Sequence, residues 1–523
     1  MIHPARKQNR KAQAAQAQPV PFASPVGGWV ENANITQGEA GYARVMENIF
    51  PGLQGCRIRG GAQKVAIVGA RVKSLFGYQS GSTSKLFAST AAAIYDVSAL
   101  NPLAVPTASV SGMGSGYWST VQMGTAGGEF LVCVNGTDTP RTYNGSTWAT
   151  TAITGVTSTE LSFVTKHKSR LWFVRKNTLV AWYLPVDSIA GAAADFSLAG
   201  VMQRGGSLLF IATWSQDSGD GQDDRIVFVS TEGECAVYQG TNPASAADWS
   251  LVGVYNITKP LGSKAHMRAG GDLVIATEAG IVPLSAVTTK DPASMDVAAV
   301  TRAIEPSWRI QAKRRTATQP VELIKWPREN MLMVSLPHDI STSFVANLQT
   351  GAWCKYIGWD VQAAALFNDQ MYFGDRAGSI FAAETGGSDN DEAYICRLSY
   401  MPSDLGGGAT TKVVSMMRAR FLSFGSVTAQ LSIAPNYDVI FPALPPETSA
   451  PANPGSYWGV SEWGEGLWGG EVTATRPTYN TGWTAVGANG EAIAPQLQMV
   501  VRGPGRPSAE LIAIDVLTEA GGI

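Results

Sequence analysis

Residues 129–148 read EFLVCVNGTDTPRTYNGSTW. The run Phe130–Val134 is unbrokenly apolar, as a strand buried on both faces is. Asn135-Gly136 follows, a dipeptide suited to the positive φ angles of a tight turn. A second β-prone run then leads into a loop of Gly, Asn and Ser. This is the grammar of a β-hairpin whose first strand lies deep in a core.

The same pattern recurs along the chain. It is seen in KLFASTAAAIYDVS (85–98), RLWFVRKNTLVAWYLP (170–185), RIVFVSTEGECAVYQG (225–240) and DLVIATEAGIVPLS (272–285). It returns in MLMVSLPHDISTSFVANLQTGAWCKY (331–356) and QMYFGDRAGSIFAAETG (370–386). Turn chemistry also marks Glu232-Gly233 and Ala279-Gly280. Seven such units, starting about 40–60 residues apart, predict a β-propeller of five to seven blades, each a small antiparallel sheet. Neither the WD nor the kelch signature is present.

Working outward, residues 1–28 read as a flexible N-terminal arm rich in Gln, Ala and Pro, with a basic cluster at Arg6, Lys7, Arg10 and Lys11. It is either a solvated tail or a segment that orders against a neighbouring subunit. Residues 29–390 hold the propeller and its N-terminal segment. Residues 40–50 (AGYARVMENIF) suggest a short helix before Pro51, and 296–312 a helical turn between blades. Beyond 390 the pattern changes. Alternating strands around KVVSMMRARFLSF, SVTAQLSIAP, APQLQMVVRG and AELIAIDVLTEAGG predict a small antiparallel β-sandwich over 391–523. A Pro/Gly/Trp-rich insertion, 443–490, divides it. The fold class expected is therefore mainly β: a propeller, a second small sandwich and a Trp/Gly-rich insertion.

Composition excludes several classes. Only 15% of the 523 residues are charged, against about 25% in ordinary soluble domains, and the net charge is −2. A chain so balanced is not an open, high-affinity nucleic-acid binder. The low charge, with 56 Gly and 28 Pro, fits many short strands and a surface covered by neighbours. Cys56, Cys133, Cys235, Cys354 and Cys396 are far apart and lack any CxxC, so they read as buried thiols and not as disulfides or a zinc site. The N-terminus lacks the apolar core of a signal peptide, and no run reaches the roughly 18 apolar residues of a membrane span. The product is expected to stay in the cytoplasm of the cell that makes it.

Motifs with chemical meaning are few. Trp458, Trp463 and Trp468 recur in YWGVSEWGEGLWGG. They read as loop packing, as a subunit or partner contact, or as a carbohydrate platform. Lys313, Arg314 and Arg315 form a basic cluster: a solvated turn in one chain, a positive collar facing DNA when repeated by symmetry. The loop SQDSGDGQDD (215–224) offers Asp217, Asp220, Asp223 and Asp224, yet lacks the ligand alternation of a calcium loop and reads as solvated. The histidines, His3, His167, His266 and His338, have no catalytic or metal-binding spacing and read as surface residues, His167 in particular. No catalytic residues, metal ligands or cofactor motifs are expected, and the chain is not expected to be an enzyme.

Four groups of segments, in this order, resemble the tail nozzle proteins of short-tailed bacteriophages, also described as packaged-DNA stabilisation or tubular tail proteins. The first is VPFASPVGGWVENANI with ARVMENIFPGLQGCRIRGG, within 20–61. The second is KLFAST and IYD, then VNGTDTPRTYNGSTW and HKSRLWFV. The third is PRENMLMVSLP, FVANLQTGAWCKYIGWD and NDQMYFGDRAGSIF. The last is the Trp-Gly insertion with IAIDVLTEAGG. The resemblance implies a virion protein: a homohexameric nozzle below the portal and its adaptor ring, beside tail spikes, fibres or a needle. Its lumen would retain double-stranded DNA and conduct it on ejection. No motif carries over the lumen-lining residues. The competing reading is a carbohydrate-binding or carbohydrate-cleaving propeller that serves as a receptor-binding tail protein, with clustered carboxylates at one face.

Overall fold

A computed structural model describes residues 18–34, 40–215, 224–288, 299–315, 320–339, 342–407, 410–448 and 476–520. The chain is mainly β, arranged as many small antiparallel sheets. The unit that opened the sequence reading becomes two strands of one of them. Gly128–Val134 pairs with Ser119–Thr125 on one side and Arg141–Tyr143 on the other, and Trp148–Thr150 completes the sheet.

Seven such sheets follow one another. The first spans 74–111, the second 119–150, the third 161–197 and the fourth 208–256. The fifth, 266–283, has three strands; the sixth spans 322–357 and the seventh 363–382. The middle strands are buried on both faces, as their unbroken apolar runs require: Ile226, Val227, Phe228 and Val229 are all fully enclosed. Two-residue turns join the first to the second strand in the first, second, third, fifth and seventh sheets. Asn368 and Asp369, at φ 49° and 59°, make one in the seventh sheet.

Apolar clusters lie between consecutive sheets. Phe76 and Phe87 of the first pack with Leu131 and Tyr143 of the second. Val132 of the second packs with Val164 of the third. Leu75 and Leu86 of the first pack with Ala363 and Ile380 of the seventh, so the last sheet is also a neighbour of the first. The seventh sheet takes its fourth strand, Gln63–Ile67, from the early part of the chain.

Two segments differ from the sequence reading. Residues 40–50 form no helix: Ala43–Glu47 and Ile49–Pro51 are strands, because β-branched and aromatic residues there find pairing partners that outweigh local helical spacing. Residues 18–23, read as arm, form a strand on Glu510–Ala520. A helix does lie between the fifth and sixth sheets, at Glu305–Arg314.

The strands beyond 390 join two larger sheets. One continues the sixth sheet outward through Ala43–Glu47, Tyr394–Tyr400, Ile493–Val501 and Gln430–Pro435. The other contains Cys56–Ile58, Glu510–Ala520, Lys412–Leu422 and Thr484–Gly490. Both bury apolar faces in one cluster that also holds Met333, Trp353 and Phe373 of the sixth and seventh sheets. The core therefore runs without a break across residue 390.

Candidate functional site

Where the early strands, the sixth and seventh sheets and the C-terminal strands meet, the chain buries charge. Arg59 follows strand Cys56–Ile58 and is 0% exposed. Its Nε donates to Asn48 Oδ1 at 2.8 Å, Nη1 to Asp389 Oδ1 at 2.9 Å and Nη2 to Asp389 Oδ2 at 2.6 Å. The carbonyls of Gly60 and Ile357 accept its remaining hydrogens at 2.9 and 3.2 Å. The guanidinium lies 3.9 Å from the Tyr394 ring centroid and 4.7 Å from that of Trp359. Asn48, in the left-handed region at φ 58°, accepts from the Ile357 N–H and donates to the Ile395 carbonyl, both at 2.7 Å.

A second centre adjoins the first. Buried Glu384 accepts Arg57 Nη1 and the Gly60 N–H at 2.7 Å, the Tyr356 hydroxyl at 2.5 Å and Arg506 Nη2 at 3.1 Å. Arg57 and Arg506 also reach Glu329, at 3.3 and 2.7 Å. Burial alone would raise the Glu384 carboxyl. Arg57 and Arg506, with the Tyr356 hydroxyl and the Gly60 N–H, outweigh it and hold the pKa at about 2. Burial disfavours the charge on Arg57 and Arg59 too, yet their carboxylate partners raise both above the ordinary arginine value. Gly61 is needed here, since a Cβ would stand 1.9 Å from the Ser388 carbonyl oxygen. Each Glu384 oxygen is engaged by a donor. The arrangement suits a fixed tie between distant parts of the chain, and proton transfer would break it.

The first strands adjoin in order: Ser119–Thr125 beside Leu161–His167, that beside Leu208–Trp214, and Ala363–Phe367 beside Ser74–Ser80. Phe163, Phe210 and His266, from the third, fourth and fifth sheets, bring their ring centroids within 6.2 Å of one another. A cleft of about 540 Å³ opens where the seventh, first and second sheets meet, among Tyr78, Gln79, Gln122, Leu366, Phe367, Asn368 and Asp369. Asp369 is the one carboxylate of that lining. The clustered carboxylates of the carbohydrate-cleaving reading are absent from it.

The predicted residues fare differently. Lys313 and Arg314 are exposed at the C-terminal end of helix Glu305–Arg314, where a cation suits the helix dipole. Arg315 is bound at 2.5 Å to Glu278. The helix is anchored by Trp308, which packs near Phe344 of the sixth sheet and donates to the Thr277 carbonyl at 2.9 Å. This places the cluster beside the loops after the second strands of the fifth and sixth sheets. Trp458, Trp463 and Trp468 lie outside the described residues, as do Asp217, Asp220 and Asp223. All five cysteines are free and buried, and burial pushes Cys56, Cys235 and Cys396 up to about 12. His167, read as a surface residue, is 3% exposed: it ends a first strand and turns between sheets, despite its cationic neighbours in sequence. The Arg59 joint escaped the sequence reading; its one local signal was the Arg-Gly-Gly run closing CRIRGG.

Among the described residues no group of three His, Cys, Asp or Glu side chains is placed to hold a metal ion, and no helix is long and apolar enough to cross a membrane. No family model matches the chain, and no curated protein does. Among solved structures, the computationally designed Ika8 protein is similar over 66% of this chain and 98% of its own, at 11% identity and a TM-score of 0.34. Sqt1 of Saccharomyces cerevisiae is similar over 62% of this chain and 98% of its own, at 10% identity and a TM-score of 0.38. Scores this low carry no argument about this chain.

Proposed function

We propose that the chain is a structural subunit of the tail nozzle of a short-tailed phage, and that it performs no catalysis. In this reading the seven sheets are the blades of a propeller. The seventh blade is closed by Gln63–Ile67, and the C-terminal strands form a sandwich fixed to its side. The observation that carries the proposal is where the resembling segments meet. Asn48, Arg57 and Arg59 come from the first group, Tyr356, Ile357 and Trp359 from the third, and all converge on the buried joint. Segments that identify a family through their order would be retained for such a tie, which keeps a ring and a side domain rigid under load.

The contact among Phe163, Phe210 and His266 bears on where DNA would pass. A B-form duplex, whose major groove alone is about 12 Å wide, cannot thread between Phe163, Phe210 and His266. The conduit would therefore lie between copies of the chain, in a cyclic homo-oligomer, most simply the hexamer that the resemblance implies. Lys313 and Arg314 would face the duplex only in that assembly. The near balance of 39 basic and 41 acidic residues suits a wall that lets phosphates slide past. The portal-adaptor ring and the spikes, fibres or needle would be its neighbours in the virion.

Negative-stain images of the purified protein, alone and with the adaptor, test the reading. Six-fold rings or short tubes support it. A compact monomer under both conditions removes it. The carbohydrate-binding alternative has one supporting observation, the polar cleft at Gln79, Gln122 and Asn368. Oligosaccharide binding abolished by Gln122→Ala would favour it.

A further inference from the structure

The first strand of the fourth sheet, Leu208–Trp214, is held between two histidines from different sheets. On one side His167 Nδ1 lies 3.1 Å from Thr213 Oγ1. On the other, the His266 ring stacks on Phe210, with centroids 4.2 Å apart and planes within 4°. Both rings are sealed at a polar atom: His167 Nε2 is shut off from solvent without a hydrogen-bond partner, and His266 Nδ1 is shut off from solvent with the Ser263 backbone carbonyl as the acceptor beside the ring. A second proton would thus place a buried N–H without an acceptor at His167, and an added buried charge at either ring, against the same strand.

Among the described residues, Asp224 and the Ser263 backbone offset burial only in part. Near His167 stand Lys168, Arg170 and Arg225, all cationic, with Asp224 as the opposing charge. Near His266, Phe163 and Phe210 face the ring; Arg268 and Asp272 lie on its own sheet, and Lys264 is already paired with Glu322 at 2.7 Å. We propose that His167 and His266 form an acid-sensitive clamp on the fourth sheet, closed when both are neutral and released when both take up a proton. The proposal stands on these sheets alone and does not depend on the nozzle reading.

Burial, the largest influence on each, lowers both pKa values from 6.5 to about 4. The clamp is therefore whole above pH 6.5 and is lost as pH falls from 6.5 toward 4. At pH 4.5 an unfolded imidazole is almost fully protonated while the folded one is mostly neutral. Each histidine then shifts the opening equilibrium by roughly 80-fold.

The test measures hydrogen exchange of the full chain at pH 7 and pH 5, corrected for intrinsic rates, beside an NMR titration of the imidazole C–H signals. The clamp predicts that the strands at 161–167 and 208–214 lose protection at pH 5 before Thr83–Ser89 of the first sheet does. A double variant, His167→Gln with His266→Phe, should keep its pH 7 protection pattern at pH 5. Uniform loss of protection across the sheets, or equal acid sensitivity in parent and variant, overturns the proposal. Should the double variant fail to fold, the titration alone decides: a pKa above 6 for either ring refutes the clamp, and values near 4 for both support it.

Discussion

Arg59→Met removes a fully buried cation and leaves its apolar stem nearly in place. The cost follows from what remains. Asp389 keeps the Trp359 and Ala62 N–H groups, at 3.0 and 3.1 Å, but loses both guanidinium contacts. Asn48 Oδ1 loses one of its two donors, and the Gly60 and Ile357 carbonyls lose theirs. Breaking a buried pair from one side costs about 3–5 kcal/mol, and a typical domain is stable by only about 5–15 kcal/mol in all. The urea slope exceeds the about 1–3 kcal/mol/M of small proteins because it grows with the surface exposed, so at about 5 kcal/mol/M the variant's midpoint should fall by about 0.6–1 M. Because the joint ties the early strands to those beyond 390, proteolysis should gain a cut near Glu392–Tyr394 in native buffer. Arg59→Met with Asp389→Leu should recover part of the loss, since two apolar groups leave no orphaned charge. A midpoint within about 0.3 M of the parent, or a double variant no better than the single, would refute the account of Arg59 as a tie.

The acid limit of the joint is set by Glu384. Its folded pKa is depressed to about 2 from the ordinary 4.5, so its contribution is whole above pH 4.5 and is lost as pH falls toward 2. Glu384→Gln should lower the melting temperature at pH 7 and flatten the slope below pH 4.5; an unchanged slope would remove Glu384 from the acid response. Replacing Lys313, Arg314 and Arg315 with Ser should leave the melting temperature within a few degrees, since the one ion pair lost, to Glu278, is partly exposed. Filled particles carrying that triple variant should lose DNA faster on storage, and parent-like retention measured by nuclease-sensitive DNA would sink the collar. Truncating Trp458, Trp463 or Trp468 to Ala should reduce assembly into particles, counted by electron microscopy; loss of oligosaccharide binding in their place would favour the carbohydrate reading.

The sequence by itself determined the β character of the chain, and for a local reason. Short, β-branched apolar runs such as Ile226–Val229, bounded by turn residues, suit strands covered on both faces, and pairs such as Glu232-Gly233 mark where a strand turns. It also marked the alternating runs beyond 390 as strands, because a period of two is written in consecutive residues. Burial of four of the five cysteines followed from the apolar runs that hold them, Cys56 in QGCRIRGG being the exception. What the sequence left open depends on contacts between residues hundreds of positions apart. Ala43–Glu47 has the local spacing of a helix, and pairing with Tyr394–Tyr400 on one side and Trp353–Ile357 on the other makes it a strand. His167 has cationic neighbours in sequence, yet the fold buries it and sets Thr213 of the next sheet against its ring. Arg59 and Asp389 are 330 residues apart, and neither has a local pattern that points to the other. Long-range pairing decided these sites, since a buried charge is tolerable only where the fold supplies its partner, and the partner's position is a property of the tertiary structure alone.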